Sequence, residues 1–157
     1  MGYTMLDKNK WSQYGRDGLE PKCITIHNSG NYDMSAMDIF NYLNNECKTS
    51  QGCHYLVDDK EIVEVLPIYW KTYHTGKSKD YAFNNSIAIE ICSNLDNETY
   101  LKGQEKAIEL IKELMNKYNI SLEEIYFHID FNSTTYCPCN ILDLYKTKQN
   151  FLAKFFN

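Results

Sequence analysis

The sequence predicts an α/β fold, a central mixed β-sheet flanked by helices, in one domain spanning residues 1–157. Three observations carry that expectation. Short β-branched runs alternate along the chain with stretches whose apolar residues recur at helical spacing. No repeat, low-complexity tract or Pro/Ser/Gly-rich linker divides the chain, and its length suits a single core. Hydrophobic residues make up 43% and charged residues 24%, near the averages of soluble globular proteins, and no apolar run approaches the roughly 20 residues that cross a bilayer.

The elements follow in order. After a polar N-terminal segment, Cys23-Ile24-Thr25-Ile26-His27 reads as a strand between Pro21 and the turn-forming Asn28-Ser29-Gly30, which leaves His27 at the strand's C-terminal end. Ser35 with Asp38 resembles a capping box, and Ala36, Ile39, Phe40 and Leu43 repeat at helical spacing, predicting a helix over about residues 35–46. His54 to Val57 and Glu61 to Leu66, joined by Asp58-Asp59-Lys60, read as a hairpin. Ser86 to Cys92 alternates, with Ile87, Ile89 and Ile91 on one face and Ala88, Glu90 and Cys92 on the other, so Glu90 rides on a predicted central strand. Lys102 to Tyr118 gives the clearest helix, with one apolar stripe through Ala107, Ile108, Ile111, Leu114, Met115 and Tyr118. A last strand over about Ile125 to His128 precedes a loop from Asp130 to Cys139, and Ile141 to Phe156 reads as helical.

Composition excludes some functions and favours others. The net charge of -5, with lysines scattered among acids, offers no basic face to nucleic acid. The 13 tyrosines, 7 phenylalanines and 2 tryptophans mainly fill the core, and the remainder suit a sugar or peptide groove. Met1 to Glu20 holds Asp7, Lys8, Lys10, Arg16 and Asp17 without an apolar h-region, so cytoplasmic synthesis without a signal peptide is expected. The six cysteines are accordingly expected as reduced thiols, which frees one to ligate a metal.

A hydrolytic zinc site uses three protein ligands and keeps one position open for water. Of the four histidines, His27 and His128 lie at predicted strand ends, and Cys137 follows His128 closely enough for one loop to present both. Spacing alone leaves two readings open, a metal site or satisfied core histidines with a buried thiol.

Five motifs occur in one order: Ile24-Thr25-Ile26-His27-Asn28-Ser29; His54-Tyr55-Leu56-Val57-Asp58; Tyr73-His74-Thr75-Gly76; Asn85-Ser86-Ile87-Ala88-Ile89-Glu90-Ile91-Cys92; and His128-Ile129-Asp130 followed by Cys137-Pro138. Together, over about residues 20–145, they resemble the type 2 N-acetylmuramoyl-L-alanine amidases, the family of T7 lysozyme and the peptidoglycan recognition proteins. The pattern is most like the catalytic domains of Bacillus and Clostridium phage endolysins.

The resemblance implies one zinc ion held by His27, His128 and Cys137, with Glu90 as general base. It implies a peptidoglycan substrate, the MurNAc-peptide, cut at the lactyl amide bond between N-acetylmuramic acid and L-alanine. It also places His74 and Asn28 by the substrate groove, where His74 either binds substrate or orients a loop. A monomer without a visible wall-binding domain is expected, acting as an endolysin or autolysin that reaches the wall through holin-mediated release or lysis. The rivals are a non-catalytic peptidoglycan-binding protein and a cytoplasmic recycling amidase acting on soluble muropeptides.

Two departures from the pattern stand out. Many relatives place a lysine two positions before the ligand cysteine, where this chain has Thr135 in a loop one residue longer. Thr135, or Thr134 beside it, is then the candidate hydroxyl donor for oxyanion stabilisation, and since a neutral donor is weaker than a charged one, more of that stabilisation falls on zinc. The catalytic tyrosine that some relatives carry just before the hairpin histidine is Cys53 here, which favours the Glu90 branch. Cys139 is a rival ligand to Cys137, and His54 reads as structural or as a support behind the ligands. Asp130 reads either as a carboxylate that orients the loop or a ligand imidazole or as an exposed turn aspartate.

Overall fold

The computed structural model describes residues 4–76 and 79–156. In chain order these form α1 (Trp11–Tyr14), β1 (Gly15–Asp17), β2 (Cys23–Asn28), α2 (Ala36–Asn45), β3 (Tyr55–Val57), β4 (Ile62–Glu64), β5 (Trp70–Thr72), α3 (Tyr81–Asn85), β6 (Ser86–Ile91), α4 (Asn97–Tyr118), β7 (Ile125–Phe127), α5 (His128–Phe131), α6 (Cys139–Tyr145) and α7 (Lys148–Leu152). Residues 1–3 of the segment read for an export signal lie outside the described residues.

The two six-residue strands β2 and β6 form the middle of a five-stranded sheet ordered β4-β3-β6-β2-β7. The pairs β2/β6, β2/β7 and β3/β6 are parallel, while the β3/β4 hairpin is antiparallel, so the sheet is mixed as expected. Strand alternation sorts the side chains. Ile24, Ile26, Ile87, Ile89 and Ile91 join Ala107, Ile108, Ile111 and Leu114 of α4 in one core. On the other face Leu56, Ala88 and Cys92 meet Ile39, Phe40 and Leu43 of α2 in a second core. A sheet covered on both faces explains why β2 is buried along its whole length.

Local chemistry sets the helix ends. Ser35 and Asp38 form the expected capping box, with Asp38 N–H donating to Ser35 Oγ at 3.1 Å and Ser35 N–H donating to Asp38 at 3.1 Å. Helix α4 starts five residues before the predicted Lys102, because Asp96 caps it by accepting from Thr99 N–H at 3.0 Å and Glu98 pairs with Lys102 at 2.8 Å. That turn opens with the polar Asn97, Glu98 and Thr99, so the apolar stripe did not reveal it, although Tyr100 is buried in the core.

Three further expectations are corrected. The single helix predicted over Ile141 to Phe156 is broken into α6, α7 and a 3-10 turn at Ala153–Phe156. Lys146 sits at φ +65°, which ends α6, and Thr147 restarts the helix by accepting from Asn150 N–H at 3.2 Å. The strand expected to run to His128 stops at Phe127, and His128 opens the short helix α5 where a loop was expected to begin at Asp130. Sequence reading also missed the two-stranded sheet of β1 with β5, whose three-residue strands carry too little pattern. Gly15 is required there, since a Cβ would lie 1.8 Å from the Lys71 carbonyl oxygen. All six cysteines are free thiols.

Candidate metal centre

Parallel pairing brings the chemistry to one edge. His27 and Glu90 are direct register partners at the C-terminal ends of β2 and β6, and β7 ends beside them at Phe127, so His128 begins its helix over the same edge. Cys137 arrives on the loop before α6, held by the bond from Ile129 N–H to the Cys137 carbonyl at 3.0 Å. The result is a cluster in which one ligand atom each from His27, His128 and Cys137 lies within 4.8 Å of the others. Cys139 is not in it; its thiol faces the Asn140 side chain at 3.4 Å.

The donor set fits a metal ion. His128 Nε2 is buried without a hydrogen-bond partner, an arrangement that costs free energy unless something ligates it. His27 Nδ1 faces Cys137 Sγ at 3.8 Å, and the other nitrogen of His27, Nε2, meets His74 Nδ1 at 3.0 Å. Burial holds His27 well below its ordinary pKa, helped by the neighbouring His74 and His128, and burial also lowers His128. Both imidazoles are therefore neutral and able to ligate at neutral pH. Burial pushes the Cys137 thiol up to about 12.

Glu90 keeps partial exposure and lines a cleft of about 250 Å³ together with Tyr42, Cys47, Cys53 and Leu56 among others. The protein around it is dense enough that burial raises its carboxyl to about 7. A carboxyl so placed exchanges protons readily near neutrality.

A family model of N-acetylmuramoyl-L-alanine amidases matches residues 17–140. The chain belongs to that family. Among curated relatives, the N-acetylmuramoyl-L-alanine amidase XlyA of Bacillus subtilis (strain 168) is 36% identical over 127 residues, covering 80% of this chain and 42% of the relative. The amidase CwlA of the same organism is 31% identical over 141 residues, covering 88% and 51%. This amidase-family chain thus spans about half the length of the curated relatives it matches. Its fold matches the structure of PlyL with a TM-score of 0.89 at 26% identity, covering 99% of this chain and 97% of that one. The catalytic domain of XlyA matches with a TM-score of 0.80 at 34% identity, covering 91% and 92%. The endolysin-type catalytic-domain fold expected from the motifs is the fold observed.

The amidase-family motifs divide between the site and its frame. His74 is 5% exposed and packs edge-on against His27, with ring centroids 5.1 Å apart. Asn28, expected at the groove, instead spends its amide internally. It donates to the Ile91 carbonyl at 3.2 Å and the Tyr100 hydroxyl at 3.0 Å, and accepts from Asn140 N–H at 3.0 Å. That side chain points to the α4 face, opposite His27, because adjacent strand residues alternate. It ties α6, and with it the Cys137 loop, to the sheet. Thr135, expected to offer a hydroxyl to the oxyanion, donates that hydrogen to the Asn132 carbonyl at 2.9 Å. Its one donor is engaged within its own turn.

The remaining candidates are structural. His54 is fully buried, accepting from Ala88 N–H at Nδ1 (2.8 Å) and bonding the Trp70 carbonyl through Nε2 (2.7 Å). Asp130 accepts from Phe127 N–H at 2.8 Å and pairs with Lys148 at 2.8 Å, which fixes the start of α5. Cys53 is 2% exposed and its thiol is raised by burial, so it is an inert part of the cleft wall.

Proposed function

We propose that this domain is a zinc-dependent N-acetylmuramoyl-L-alanine amidase, an endolysin or autolysin that hydrolyses the lactyl amide bond between N-acetylmuramic acid and L-alanine of peptidoglycan. The observation that carries the reading is the convergence of His27, His128 and Cys137 within 4.8 Å, beside Glu90, in an amidase-family fold. Two neutral imidazoles and a thiolate are a donor set suited to zinc, and three protein ligands leave one position for water or substrate. When bound, zinc supplies Lewis acidity that polarises the scissile carbonyl and lowers the pKa of water.

This chain's residues do the rest. Glu90 takes a proton from the attacking water and returns it to the L-alanine nitrogen as the amide breaks, a role matched by a carboxyl raised to about 7. His27 and His128 stay neutral, so no proton is lost from the histidine ligands when metal enters. Tyr42, 39% exposed on the wall of the Glu90 cleft, offers a flat amphipathic surface to sugar or peptide. Thr135 joins the oxyanion's donors only if its hydroxyl leaves Asn132, so charge stabilisation falls chiefly on the metal. In the endolysin setting the enzyme reaches the wall by holin-mediated release or on lysis.

The test is mass spectrometry of purified sacculi, and of soluble muropeptides, digested with zinc-loaded protein. New L-alanine amino termini without new reducing ends are expected from sacculi. New reducing ends, or binding without cleavage, would reject the reading, and activity confined to soluble fragments would move the enzyme to cell-wall recycling.

A further inference from the structure

The neighbour of His27 is a third imidazole. A ligating histidine needs a partner for its second ring nitrogen, and that partner is commonly a carboxylate, a backbone carbonyl or water. Here the atom opposite His27 Nε2 is His74 Nδ1, at 3.0 Å, while His27 Nδ1 faces Cys137. For His27 Nδ1 to ligate beside Cys137, the ring proton must sit on Nε2, from where it is donated to a bare His74 Nδ1.

His74 is itself held. Its backbone N–H donates to the Thr72 carbonyl at 3.1 Å, and Tyr73 N–H donates to the Tyr14 carbonyl at 2.9 Å. The Tyr73 ring stacks on Phe83 of α3, with centroids 5.1 Å apart and planes 4° from parallel. On the other side Thr75, 1% exposed, donates its hydroxyl to Asp80 at 2.6 Å, and Asp80 caps α3 by accepting from Phe83 N–H at 2.8 Å. The Thr75 backbone also interacts with the ring of His128. One short segment anchored on α3 therefore meets both histidines of the cluster.

We propose that His74 is a positioning residue of the metal centre: through Nδ1 it fixes the tautomer and ring plane of His27, so that His27 Nδ1 is presented bare toward Cys137. This rests on the metal-site reading above, and it replaces a groove role for His74 with a role behind the ligand. A substrate-contact role predicts a raised KM with unchanged metal affinity. A positioning role predicts weakened metal affinity in the absence of any substrate.

Two measurements decide it. In 15N-labelled, metal-free protein at neutral pH, long-range 1H–15N spectra report the tautomer of each ring. His27 is expected as the Nε2–H form and His74 as an Nδ1 acceptor; a His27 protonated on Nδ1 overturns the proposal. Zinc titration against a competing chelator then compares wild type with His74→Phe, which fills the space without an acceptor, and His74→Asn, which keeps an acceptor near Nδ1. His74→Phe should bind zinc about 10- to 100-fold more weakly, and His74→Asn should stay within a few-fold of wild type. Unchanged affinity in His74→Phe, or equal loss in both, overturns the proposal. Should His74→Phe fail to fold, the tautomer and His74→Asn carry the decision. A wild type that takes up no zinc refutes the metal-site reading instead, while the tautomer still judges the His27–His74 bond.

Discussion

His27 and Glu90 are direct partners across β2 and β6, with side chains on the same face of the sheet, the α2 face, near the C-terminal ends of two parallel strands. Parallel register is what places a ligand candidate and a proton carrier side by side, although 62 residues lie between them in the chain.

Replacing Glu90 with Gln should lower turnover on peptidoglycan by about 10²- to 10⁴-fold, the usual worth of a general acid–base group. Zinc content should be unchanged, because Glu90 is outside the ligand cluster. Thermal stability should not fall, since the substitution relieves a carboxyl disfavoured by burial. Muropeptide release and metal analysis on one preparation check it, and retained turnover moves the base elsewhere.

Cys137→Ser should lose both metal and activity, whereas Cys139→Ser should keep both, because only Cys137 lies within the cluster. Zinc stoichiometry after dialysis is the readout. Full occupancy in the Cys137 variant would point to Cys139.

Zinc binding at pH 7 should release about one proton. The two imidazoles are already neutral and the Cys137 thiol, pushed up to about 12, is protonated before the metal arrives. Apparent affinity should consequently fall roughly tenfold for each pH unit of acidification near neutrality. Calorimetry in buffers of differing ionisation enthalpy counts the proton, and a heat independent of buffer would contradict the assignment.

Acid should destabilise the metal-free protein through His54. Its imidazole accepts from Ala88 N–H, so protonation sets two donors against each other, and burial lowers its pKa from 6.5 to about 4. Between those values the unfolded chain binds the proton and the folded chain does not. Stability is therefore full above 6.5 and declines as pH falls toward about 4, by roughly 3 kcal/mol from this residue. Glu90 opposes this trend, because its raised carboxyl favours the fold as pH falls from 7. Urea unfolding is therefore compared at pH 7 and 4.5 in Glu90→Gln, where the loss should show with His74 adding to it; equal stabilities there would refute it.

Gly15→Ala should destabilise the fold by about 1–3 kcal/mol through overpacking. The added Cβ would sit 1.8 Å from the Lys71 carbonyl oxygen, so β1 and β5 must separate. A lowered urea midpoint checks this, and a wild-type midpoint would show that the ribbon can shift.

The strands β2 and β6, the capping box of α2 and the stripe of α4 were legible because each is long enough for its period to show. The three-residue strands β1 and β5 and the break at Lys146 were not, since they depend on partners or a backbone angle that no local pattern records. Site residues divided the same way. His27, His128, Cys137 and Glu90 were legible as ordered motifs, but the inward turn of Asn28 and the engaged hydroxyl of Thr135 were not.

By itself, then, the sequence determined the longer elements and which residue types with metal-binding and proton-transfer chemistry sit at their ends, because periodicity and capping act over a few residues. Only the tertiary structure decided how those ends meet. The parallel register of β2 with β6 and β7, the return of the Cys137 loop and the placing of His74 behind His27 are contacts between distant parts of the chain. They are selected by burying both faces of one sheet, a condition that no single segment satisfies alone.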